Sequence, residues 1–195
     1  FFKGQEDLKS CLLRATDTVK FQEDPLRVLR AMQFAGRFDF MVEAQTLAAC
    51  CEMVREREFS ELPNARVGEE WRKLILKSTK PSVGMPVELA TGAFHVLHPD
   101  LVALIGCRQE KEWHPEGDVW THTLMTADAA AEIVRREGLQ GDDALVIMLG
   151  ALCHDFGKPA TTRYERIISG EWRWRSLGHE QAGMDPTRSF LARMD

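Results

Sequence analysis

Apolar residues recur at helical spacing along most of this chain. After Asp24, Pro25 stands at the first position of a helix predicted to run to about Arg37, with Val28, Met32 and Ala35 on its core face. Arg27, Arg30, Phe34 and Arg37 follow one another at i, i+3, i+7 and i+10 and form a basic stripe on another face. A second helix fits 43–58, with Leu47, Cys50 or Cys51, and Val54 apolar. A third fits 65–77, where Val67, Trp71, Leu74 and Ile75 recur. Lys80-Pro81-Ser82 breaks it, and a short helix near 84–94 follows. His98-Pro99-Asp100 and Trp113 to Gly117 mark loops.

From residue 118 the helical period returns. His122, Met125, Ala129 and Ile133 share a face, and Glu137-Gly138 stops the helix. Asp142 or Asp143 can cap the next helix, whose buried face is Leu145, Met148, Leu149 and Leu152, with Gly157 as its stop. Residues 161–176 switch to alternation: Tyr164, Arg166 and Ile168, a Ser169-Gly170 turn, then Trp172 and Trp174, a β-hairpin pattern. Phe190 to Asp195 reads as part of another helix, and residues 1–20 as the end of a strand, a turn and a polar segment. The expected fold class is therefore mainly α with one hairpin.

Composition narrows the function classes. A chain of 195 residues can bury a real core. No apolar run approaches the roughly 20 residues that span a bilayer, and Phe1 to Asp7 is no signal peptide, so the expectation is a cytoplasmic protein without a membrane partner. The five cysteines form no CxxC pair, which fits reduced, buried thiols. The net charge of −5 disfavours a nucleic-acid binder, yet residues 1–80 carry 14 Lys/Arg against 13 Asp/Glu while residues 81–195 carry 11 against 17. Any RNA surface is expected in the first half.

Two motifs carry candidate chemistry. The first is Glu23-Asp24-Pro25-Leu26-Arg27, continued through Arg30 to Phe38. It resembles the neck helix of bacterial class II tRNA nucleotidyltransferases, the CCA-adding enzymes, and of the related poly(A) polymerases. The resemblance implies that Asp24 and Arg27 read the base of an incoming CTP or ATP. C and A each present an amino group beside a ring-nitrogen acceptor, which a carboxylate and an arginine can match. U would leave a buried acceptor unpaired, at about 1–3 kcal/mol. Glu23, Arg30 and Arg66 join them as nucleotide-binding candidates by the same resemblance. Without it, Asp24 is only a helix cap and Arg27 a surface arginine.

The second motif is Leu149 to Lys158, containing His154-Asp155, with Trp113 to Met125 upstream and Gly178-His179-Glu180 downstream. These segments resemble HD-domain metal phosphohydrolases and the HD domain fused to many CCA-adding enzymes. The resemblance implies metal ligands His122, His154 and Asp155, with His179 nearby, and His154 and Asp155 as the catalytic pair. Imidazole-rich ligation favours a divalent transition metal. The alternative is a histidine at a helix C-terminus beside a solvated aspartate. His95, His98 and His114 are expected as loop or surface histidines.

The resemblance divides the chain into a remnant of a nucleotidyltransferase head (1–22), a base-reading neck (23–64), a helical body (65–108) and an HD domain (109–195) whose last aspartate ligand would lie after Asp195. A Gly-Ser turn followed by paired aspartates, which would hold Mg²⁺ and triphosphate in the family's head, is absent from the sequence. The expected protein is thus a piece of a tRNA nucleotidyltransferase, with tRNA, CTP and ATP as partners, that does not polymerise nucleotides by itself. The rival readings are a stand-alone HD phosphohydrolase and a poly(A) polymerase.

Overall fold

The computed structural model describes residues 3–56 and 59–194. Its elements run α1 (Gly4–Lys9), β1 (Leu12–Leu13), α2 (Thr18–Phe21), α3 (Leu26–Phe38), β2 (Met41–Val42) and α4 (Ala44–Glu56). After a 3₁₀ turn at Phe59–Glu61 come α5 (Asn64–Lys77), α6 (Pro81–Thr91), α7 (Ala93–Leu97), α8 (Pro99–Val102), α9 (Val119–Arg136) and α10 (Gly141–Cys153). The chain closes with α11 (Lys158–Thr161), β3 (Arg163–Arg166), β4 (Trp172–Arg175), α12 (His179–Ala182) and α13 (Met184–Ala192). β1 pairs in parallel with β2, and β3 pairs antiparallel with β4. The mainly α expectation with one hairpin holds. No helix is long and apolar enough to cross a membrane among the described residues.

Helix α3 begins as its sequence dictates. Asp24 Oδ1 accepts the Leu26 N–H at 3.0 Å, so Asp24 caps the first turn. Val28, Leu29, Met32 and Ala35 are fully buried against α5 and α6, while Arg30 is exposed. The α3–α6 crossing is close because it runs through glycines: a Cβ on Gly84 would sit 2.6 Å from the Met32 carbonyl oxygen. In α5, Val67, Trp71, Leu74 and Ile75 are buried as expected.

Several expectations shift. The strand end expected in residues 1–20 is largely helix, with Glu6 and Asp7 in the first turn of α1 and Lys9 in its last, where each charge complements the dipole; Phe1 and Phe2 lie outside the described residues, as do 57 and 58 of the second helix. In α4 the buried face is Thr46, Ala49, Cys50 and Met53, rotated from the Leu47–Val54 stripe. Pro81 opens α6 rather than only ending α5, because Asp128 on α9 accepts the Ser82 N–H at 3.0 Å and its hydroxyl at 2.6 Å. The His122–Ile133 face of α9 turns outward, with Met125 exposed; the buried face is Val119, Thr123, Ala127, Ala130 and Val134. Neither Asp142 nor Asp143 caps α10 through its side chain. Cys11 is exposed, whereas Cys50 and Cys153 are buried, and all five thiols are free.

His98 is the largest departure. It links α7 to α8, but it is fully buried, in edge contact with Trp71 and 3.7 Å from Glu88. Trp71 also meets Phe94 and Phe190, and Phe94 meets Trp120. This aromatic cluster ties α5, α7, α9 and α13 into one hydrophobic core that runs from Leu26 to Met194.

Candidate functional site

Three histidines from three elements converge on one carboxylate. His122 comes from the second turn of α9, whose N-cap Asp118 accepts the Thr121 N–H at 2.9 Å. His154 and Asp155 follow the last residue of α10, and His179 opens α12. Asp155 is buried, with its side chain 1% exposed. The Nε2 atoms of His154, His179 and His122 lie 3.1, 3.6 and 3.9 Å from its carboxylate oxygens. His122 and His154 approach each other to 3.3 Å, Nε2 to Nε2.

The other ring nitrogen of each histidine is anchored. His122 Nδ1 meets Glu116 Oε1 at 2.7 Å, His154 Nδ1 meets the Ala151 carbonyl at 2.9 Å, and His179 Nδ1 meets the Ser176 carbonyl at 2.8 Å. These acceptors assign the proton to Nδ1 in all three rings. Three Nε2 lone pairs are then left aimed at Asp155. Two of them face each other at 3.3 Å, an arrangement that repels unless a proton or a cation lies between them.

The carboxylate is suited to such a cation. Lys158 Nζ pairs with Asp155 Oδ2 at 2.8 Å, and His154 Nε2 lies 3.1 Å from the same oxygen. Burial by itself raises the Asp155 carboxyl; the neighbouring His154 and Lys158 outweigh it and hold it at about 2. Reciprocally, Asp155 raises His154. His122, His154 and Asp155 each offer a ligand atom within 4.8 Å of the others, and the donor set of imidazoles and a carboxylate fits a divalent metal ion.

Sequence reasoning missed the surrounding layer. Glu116 Oε1 accepts from His114 Nδ1 at 3.0 Å as well as from His122. Its own backbone N–H and then the His114 and His122 donors hold the Glu116 carboxyl at about 2. His114, expected as a bland surface residue, is therefore a half-buried neighbour of the centre, its ring 4.8 Å from that of His122. The available signal was the His114-Pro115-Glu116 triplet, which begins eight residues ahead of His122. Lys158 also donates to Gln109 Oε1 at 2.6 Å. Gly157 does not end α10 in a left-handed turn, since its φ is −85°. It is glycine because a Cβ there would lie 1.9 Å from the His179 carbonyl oxygen, so its absence lets α12 close on the site. His95 remains an exposed residue of α7.

At the start of α3 the structure pairs Asp24 with Arg66, Nη2 to Oδ2 at 3.1 Å, both partly exposed. Arg27 turns back to the Lys20 carbonyl. Arg30 covers the Phe34 ring at 5.8 Å, and Glu23 is exposed. Asp24, Arg27 and Arg66 thus gather at one helix start; Arg30 lies along the stripe beyond it.

Residues 119–194 match the HD domain family, and His122, His154, Asp155 and His179 all lie within that stretch. Over 99% of its length the chain is also 33% identical to the multifunctional CCA protein of Mannheimia succiniciproducens and 38% identical to that of Halorhodospira halophila. It spans 44% and 43% of those two proteins, less than half of the curated relatives it matches. Among solved structures, a tRNA-processing enzyme in an apo form aligns with 80% of this chain and 42% of its own, at a TM-score of 0.49 and 22% identity.

Proposed function

We propose that this chain is part of a tRNA nucleotidyltransferase that adds CCA to tRNA 3′ ends from CTP and ATP, joined to a metal-dependent HD phosphohydrolase. The observation that supports the hydrolase half is the convergence of three anchored imidazoles on the buried Asp155. The similarity along 99% of the chain to multifunctional CCA proteins supports the transferase half. In this reading Asp24 and Arg27 face the base edge, and Glu23, Arg30 and Arg66 belong to the same nucleotide-binding surface. The neck spans 23–64, the body 65–108 and the HD domain 109–195, with residues 1–22 leading from a head that would use Mg²⁺. The working compartment is the cytoplasm, with tRNA as macromolecular partner.

In the HD centre, His122, His154 and Asp155 are the ligands, with His179 beside them. A divalent transition metal held there supplies Lewis-acid polarisation of a phosphoryl group and lowers the pKa of water. The chain's own residues do the rest. Lys158 offers positive charge to a bound phosphate, the Ala151 carbonyl and Glu116 keep His154 and His122 in the ligating tautomer, and Asp155 supplies the carboxylate. Titration with Ni²⁺ or Mn²⁺ tests the centre. One ion per chain is expected to bind and to support hydrolysis of p-nitrophenyl phosphate esters, with both lost in Asp155→Asn. Binding that survives Asp155→Asn unchanged would place the metal elsewhere.

A further inference from the structure

Six of the 11 Lys/Arg in the acidic half of the chain, residues 81–195, fall in two short segments: Arg108 and Lys111 in the loop before α9, and Arg163, Arg166, Arg173 and Arg175 in the hairpin. The register puts Tyr164, Trp172 and Trp174 on one face with Arg166, and Arg163, Arg173 and Arg175 on the other. Tyr164 stands opposite Trp174 in the β3–β4 register, with ring centroids 5.0 Å apart, and stacks on Trp172 at 5.5 Å. Tyr164 and Trp172 are nonetheless 53% and 57% exposed, so much of their ring surface faces solvent. Arg108 lies over the Trp174 ring at 5.3 Å.

The hairpin is fastened in place. The Trp174 backbone N–H donates to Glu110 Oε2 at 3.1 Å, and Arg173 meets Glu112 at 2.6 Å. Cross-strand aromatic pairs alone would stabilise a hairpin in any orientation; these two ties aim it at the loop beside the metal ligands. Two cavities result. One, of about 500 Å³, is lined by Tyr164, Trp172, Trp174 and Arg108. The next, of about 270 Å³, has Trp174 and Arg175 on its wall together with Lys158, His179 and His114. Trp174, Gln109 and Glu110 belong to both.

We propose that the hairpin and the loop before α9 form a nucleobase-stacking subsite that takes the 3′-terminal base of a single-stranded RNA and directs its phosphate or ribose end toward the HD centre. The claim rests on the hydrolase reading for the destination, but the stacking site stands on its own residues. Exposed aromatic faces beside Arg108 and Lys111 suit a base and its phosphate, as on single-strand platforms elsewhere. An aliphatic peptide would meet a polar rim there, with Arg108, Lys111, Glu110 and Asp118 beside the aromatic rings. The combined volume lies in the range of small-ligand sites.

The test uses the 195-residue chain freed of metal by chelation, with tryptophan fluorescence as readout and the RNA trinucleotide CCA, AMP and ribose 5-phosphate as probes. CCA should bind roughly 5–150-fold more tightly than ribose 5-phosphate, the range for one stacked base. The double variant Tyr164→Leu/Trp172→Leu should erase that preference. Tyr164→Phe/Trp172→Phe should keep most of it, which separates stacking from hairpin collapse. Equal binding of CCA and ribose 5-phosphate, or a preference that survives the leucine variants, overturns the proposal. AMP binding as tightly as CCA overturns the RNA terminus in favour of a free nucleotide. Phosphoesterase turnover by the metal-loaded chain is scored separately, so failure of the hydrolase reading shows there and leaves the binding ratio standing.

Discussion

At the residue scale, single side chains serve two purposes, and the right substitution can separate them. Asp24 caps α3 through Oδ1 and pairs with Arg66 through Oδ2. Asparagine also caps helices well. Asp24→Asn should therefore leave the thermal midpoint nearly unchanged, while the preference for CTP over UTP falls roughly 5–150-fold, equivalent to about 1–3 kcal/mol for a mispaired base edge. Equilibrium binding of the two nucleotides measures it; an unchanged preference leaves Asp24 as a cap alone. Glu116 is the second case. Outer carboxylates that orient a ligating histidine are typically worth about 10–100-fold in metal affinity. Glu116→Gln should weaken Ni²⁺ or Co²⁺ binding by about that factor, measured by chelator competition. Gly157→Ala should act at a distance: the added methyl collides with the His179 carbonyl and pushes α12 off the site.

At the scale of elements, the contacts that set one helix against another come from outside each helix. The N-terminus of α6 takes its cap from Asp128 on α9, 46 residues away. Asp128→Ala should cost about 1–2 kcal/mol, the loss of a helix cap, read from the shift of a urea midpoint. A cost below a few tenths would mean that solvent replaces the carboxylate. The α3–α6 crossing depends on Gly84 and Gly36, whose added methyl groups would meet the Met32 carbonyl and the Leu74 side chain. Backbone cannot yield as a side-chain end can, so substitution at Gly84 is expected to be the costlier of the two.

At the scale of the whole molecule, the core holds a polar pair that the proposed chemistry does not use. Glu88 is fully buried, and that burial raises its carboxyl well above the usual range. Burial, and next the charge of Arg193, lowers His98 to about 3. The two shifts give stability opposite pH dependences. The contribution of Glu88 is fully present below its unfolded pKa near 4.3 and is lost as pH rises through its raised folded value. The contribution of His98 is present above its unfolded pKa near 6.5 and is lost as pH falls toward 3. Glu88→Gln keeps the shape and removes the first dependence. Its thermal midpoint should gain on that of the parent chain as pH rises from 5 to 8; a constant difference across that range would mean Glu88 does not hold its proton.

The helices α3, α5, α9 and α10 and the hairpin were legible in the sequence because each is specified locally, by a cap, a 3.6-residue or two-residue apolar period, or a turn glycine. His122, His154, Asp155 and His179 were legible as a set because their motifs are contiguous. Their convergence was not. It depends on Gly157 admitting α12 and on three separate acceptors fixing three ring nitrogens, contacts between segments far apart in sequence. His98 shows the same limit from the other side: a His-Pro-Asp triplet reads as a loop, yet Pro99 and Asp100 open α8 and His98 alone separates it from α7, and only the packing of α5, α6, α7 and α13 around it decided that the imidazole would be buried. Local chemistry determined most of the elements that form, whereas the start of α6 was set by Asp128 on α9. The tertiary structure decided which faces meet, because burial and the pairing of polar atoms are properties of the surroundings that all the elements create together.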